Sequence, residues 1–66
     1  MTSEAELSSL ATALGDLTAR LARLAEEAAK ANDEELATEL FAVERSLRGA
    51  ERRLTRVVSG RARPRH

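Results

Sequence analysis

The spacing of the leucines constrains this chain more than any other feature. Leucines at 7, 10, 14, 17, 21 and 24 step 3-4-3-4-3, and Ala28 and Ala31 continue the pattern. A second series, Leu36, Leu40, Val43, Leu47, Ala50, Leu54 and Val57, steps 4-3-4-3-4-3. An apolar residue at alternating steps of three and four is the seam of a helix packed on a helix, and Leu and Ala are good helix formers. Between the two series, Lys30-Ala31-Asn32-Asp33-Glu34-Glu35 carries stop and start signals. Asn32 tolerates the left-handed backbone that ends a helix; Asn32 or Asp33 can cap the next one, with Glu35 three residues after Asn32. Ser3 and Glu6 have capping-box spacing for the first helix, and Gly60 and Pro64 close the second. The expected elements are a helix over about 4–30, a helix over about 33–58 and a flexible basic tail over 59–66.

So short a loop makes the two helices antiparallel neighbours. Residues at one level of an antiparallel pair have a constant index sum. Leu7/Val57, Leu10/Leu54, Leu14/Ala50, Leu17/Leu47, Leu21/Val43, Leu24/Leu40 and Ala28/Leu36 all sum to 64. A chain of 66 residues buries only about 60% of its unfolded surface, and one leucine stripe leaves each helix half uncovered. The expected fold is therefore all-α: a two-helix antiparallel coiled-coil hairpin that dimerises into a four-helix bundle.

One flank of the first helix reads Ser8, Ala11, Gly15, Thr18, Ala22, Ala25, Ala29, again spaced 3-4 and free of charge. Alanines there raise helix propensity, but such a row also suits the close approach of another helix. These seven residues, with Phe41, the only aromatic side chain, are the expected self-association surface. Gly15 and Gly49 share the index sum of 64, which suggests a waist beside the thin Leu14/Ala50 layer.

Little in the sequence supports chemistry. There is no Cys, and the single His is the last residue, so no Cys/His catalytic pair or metal cluster can be assembled. Ser3, Ser8, Ser9, Ser46 and Ser59 have no base beside them, and Glu26/Glu27 and Glu34/Glu35 are adjacent residues that point apart on a helix. No glycine-rich phosphate loop is present. A non-enzymatic chain without cofactor or metal is expected.

Charge is the remaining signal. The net is zero, yet residues 1–40 carry −6 and residues 41–66 carry +6. Arg45, Arg48, Arg52 and Arg56 form a stripe along the second helix, extended by Arg61, Arg63 and Arg65. Such a stripe is either solvated surface or a docking face for an acidic protein; a phosphate backbone is the alternative, without aromatic residues for base stacking. No apolar run approaches the ~20 residues of a membrane span, and the N-terminus lacks the order of a signal peptide. A cytoplasmic location is expected. The ten-to-one excess of Arg over Lys, with abundant Ala, points to a high-GC bacterial genome. The sequence thus reads as a small self-associating regulatory or adaptor module.

Overall fold

The computed structural model describes residues 3–62, with side chains from 4 to 60. It is a hairpin of two long helices, α1 (Ser3–Lys30) and α2 (Glu34–Ala62), packed against each other. Its dimensions, 52 × 19 × 11 Å, are those of a slab two helices wide and one helix thick. A folded domain ordinarily needs two packed layers to enclose a core. This chain supplies one.

The turn is built as the sequence implies. Asn32 takes a left-handed backbone with φ of 64°, a conformation its short polar side chain tolerates. Asn32 N–H donates to Ala29 O (3.0 Å) and Asp33 N–H donates to Ala28 O (2.9 Å), the paired bonds of a Schellman ending. Asp33 then caps α2: its Oδ1 accepts from Leu36 N–H (3.3 Å), and its carbonyl accepts from Ala37 N–H (2.9 Å). With Asp33 as cap, Glu35 is not at the third helical position, so the Asn32–Glu35 capping box does not form. At the other end α2 runs through Ser59 and Gly60 to Ala62, beyond the expected end near 58. Gly60 has no positive φ and continues the helix. The remainder of the expected tail, residues 63–66, lies outside the described residues, as does the side chain of Ser3 in its expected capping box.

The helices do not meet squarely on the leucine seam. On α1 the side turned to α2 carries Leu7, Ala11, Leu14, Thr18, Leu21, Ala25 and Ala28, all buried or half-buried. On α2 it carries Ala37, Leu40, Glu44, Leu47, Glu51, Leu54 and Val58. The fully covered residues are small: Ala25, Ala28, Ala37 and Thr18. Thr18 satisfies its hydroxyl by donating to Leu14 O at 2.8 Å along its own helix. Alternate members of the leucine series, Leu10, Leu17 and Leu24 on α1 and Leu36, Val43 and Val57 on α2, remain 45–55% exposed. The reason is geometric. Leucines plus the small flank occupy at least three positions in seven, a stripe wider than one neighbouring helix can cover. Contact through the small residues brings the axes close and leaves half of the leucines facing sideways.

Candidate functional site

Two surfaces stand out on this slab, one apolar and one basic. The apolar surface is the broad face on which Leu10, Leu17 and Leu24 of α1 lie beside Leu36, Val43 and Val57 of α2. At its centre is an open groove of about 320 Å³ lined by Leu17, Arg20, Leu21, Leu24 and Leu47. Leu17 and Leu47 thus border one groove, as their shared level requires. Arg20 contributes at the margin, where its aliphatic stem extends apolar surface while its head stays in water.

The residues expected to mediate self-association are placed differently from that expectation. Thr18 (3% exposed) and Ala25 (0%) are buried within the hairpin, and Ala11, Gly15, Ala22 and Phe41 are half-buried. Ser8 and Ala29 are exposed. Most of the small flank is therefore occupied by α2 of the same chain, and the unoccupied apolar surface is the leucine face. A helix close-approach row was legible in the sequence, but which helix approaches it was not.

Gly15 and Gly49 also separate. A Cβ placed on Gly15 would lie 2.6 Å from Glu51 Oε2, so the glycine leaves room for that carboxylate between the helices. Gly49 turns away from α1 and has no such neighbour closer than Arg52 Nη2 at 4.0 Å. They do not form a common waist.

The basic surface runs along α2. Arg45, Arg48, Arg52 and Arg56 are all exposed. Arg48 is engaged: its Nε and Nη2 both donate to Glu44 Oε2 at 2.6 Å, one helical turn away. The Glu44 side chain is only 12% exposed, and this pairing gives its carboxylate a partner at the edge of the helix contact. Arg52 and Arg56, together with Arg53, border a groove of about 450 Å³ over Ser46, Gly49 and Ala50. Arg53 lies outside the 3-4-4 spacing of the stripe, so periodicity alone did not select it. A neighbouring groove of about 300 Å³ is lined by Arg48, Glu51, Arg52 and Thr55. Arg61 belongs to the end of α2, and Arg63 and Arg65 lie outside the described residues.

No helix among the described residues is long and apolar enough to cross a membrane. No family model, curated protein or solved structure matches the chain.

Proposed function

We propose that this chain is a non-enzymatic helical-hairpin interaction module, a small regulatory or adaptor protein. It self-associates through its leucine face into a four-helix bundle and presents the arginine side of α2 to an acidic protein partner. The observation that carries this reading is the leucine face itself: among the described residues, six Leu and Val side chains are about half exposed, over a core whose buried apolar residues are three alanines. Fully burying a Leu or Val contributes about 1.5–3 kcal/mol, so each half-exposed side chain leaves about 1 kcal/mol unrealised. A pair of copies brings about 12 kcal/mol of such burial together, which exceeds all but the upper end of an association cost of about 4–15 kcal/mol. Arg45, Arg52 and Arg56 lie off this face and remain available in the bundle.

The test is the double substitution Leu17→Gln with Leu24→Gln, measured by sedimentation equilibrium. Four altered side chains per pair should remove about 4 kcal/mol, close to a thousandfold in the dissociation constant. Unchanged association in the double variant, with helicity retained, would remove the leucine face from the account.

The clustering of Arg52, Arg53 and Arg56 around one groove favours a second reading, nonspecific contact with nucleic-acid phosphates. The two readings part on salt. Phosphate contacts release counterions, so affinity for any DNA or RNA falls linearly in logarithm with salt, whereas a protein partner binds after nuclease treatment.

A further inference from the structure

We infer that the second copy lies across the leucine face in reverse, loop end against open end, so that α2 of one copy runs antiparallel along α2 of the other. The inference rests on the self-association proposed above and adds its orientation. Two all-antiparallel bundles can be made from one hairpin. In one, the loops lie at the same end and α1 of each copy covers α2 of the other. In the second, the loops lie at opposite ends, and each helix covers its own counterpart.

Charge along the slab separates them. Between Leu24 and Phe41, the loop end, six carboxylates face a single lysine, a net of −5. At the open end, residues 3–12 and 52–62 hold two glutamates against four arginines, a net of +2. Loops at one end would stack acidic on acidic and basic on basic. Loops at opposite ends bring each acidic end onto a basic one.

The pattern along α2 agrees residue by residue. Beside the leucine face, on the side of α2 away from α1, stand Glu39, Ser46 and Arg53, seven residues apart and all exposed. Turned about a two-fold axis near Ser46, this row maps onto itself with charges matched: Glu39 opposite the partner's Arg53, and Ser46 opposite the partner's Ser46. With the axis between Ser46 and Leu47, the apolar positions match to within one residue of register, with Leu36 opposite Val57, Val43 opposite Ala50, and Leu47 beside its own counterpart. That axis passes through the groove at the centre of the face, where Leu17 and Leu47 already meet. In the same-end bundle Glu39 would instead fall at the level of the partner's Ala25, between Arg23 on one side and Glu26 and Glu27 on the other, with no cation directly opposite.

The chain contains no cysteine, so single cysteines report orientation cleanly. Ser46→Cys should form a disulfide-linked dimer rapidly on mild oxidation, while Arg45→Cys, one residue along and off the face, should react slowly. Arg53→Glu should weaken association about two- to tenfold by setting Glu39 against an acid in both symmetric contacts, and Glu39→Arg with Arg53→Glu should restore it. Efficient crosslinking of Glu39→Cys to Glu27→Cys, with no Ser46→Cys dimer, would overturn the orientation while leaving self-association intact. A wild-type chain that sediments as a monomer would instead remove the reading on which the orientation rests.

Discussion

Replacing Ala25 with leucine tests how the two helices meet. Ala25 is 0% exposed, and the covered residues along the contact are alanines and Thr18. A leucine there adds three carbons where the axes approach closely, and the helices must part or the side chain must leave its preferred rotamers. Overpacking of this kind costs about 1–3 kcal/mol. For a domain of this size each kcal/mol shifts the melting temperature by about 4–8 °C, so the expected loss is about 4–24 °C. Ala29→Leu, one turn further and exposed, should stay within about 0.5 kcal/mol of the parent. Thermal unfolding followed by circular dichroism at 222 nm reads both variants, at several protein concentrations so that association is held in view. If Ala25→Leu leaves the melting temperature unchanged or raises it, the helices do not meet through their small residues, and the leucine seam must hold the hairpin after all.

Gly49→Ala should stabilise the chain by about 1 kcal/mol, because the added methyl meets no side-chain atom closer than 4.0 Å and helix propensity favours it. Gly15→Ala should gain less, since Glu51 Oε2 would lie 2.6 Å away and must move; chemical denaturation of the pair reads the difference. Asn32→Val should destabilise by about 1–2 kcal/mol, because a branched side chain resists φ of 64°. Asp33→Ala should cost about 0.5–2 kcal/mol through the lost cap on Leu36 N–H, and both appear in the same denaturation series.

The hairpin was legible because its signals are local. Leucine spacing sets the helical period, and Asn32-Asp33 writes a stop and a start in adjacent residues. Helix rotation was not legible, because it is decided by competition between faces. Leu7, Leu14 and Leu21 could turn inward with Leu10, Leu17 and Leu24, or with Ala11, Thr18 and Ala25. Each choice gives an uninterrupted 3-4 rhythm, and only the packed pair shows that the small side was taken. Rotation also moves the sites. It hides Thr18 and Ala25, bares Leu17 and Leu24, and places Glu44 where it engages Arg48. The extent of α2 was misjudged for a related reason: Gly60 lowers helix propensity without forbidding helix, and α2 runs through it to Ala62.

The central claim is that the exposed leucines belong to an interface with a second copy. Sedimentation equilibrium of the unmodified chain, from micromolar concentration upward, tests it most directly. The account predicts a reversible species of twice the 7.2 kDa chain mass, with a melting temperature that rises with concentration. A 7.2 kDa species throughout the range, unfolding cooperatively at a concentration-independent temperature, would contradict it.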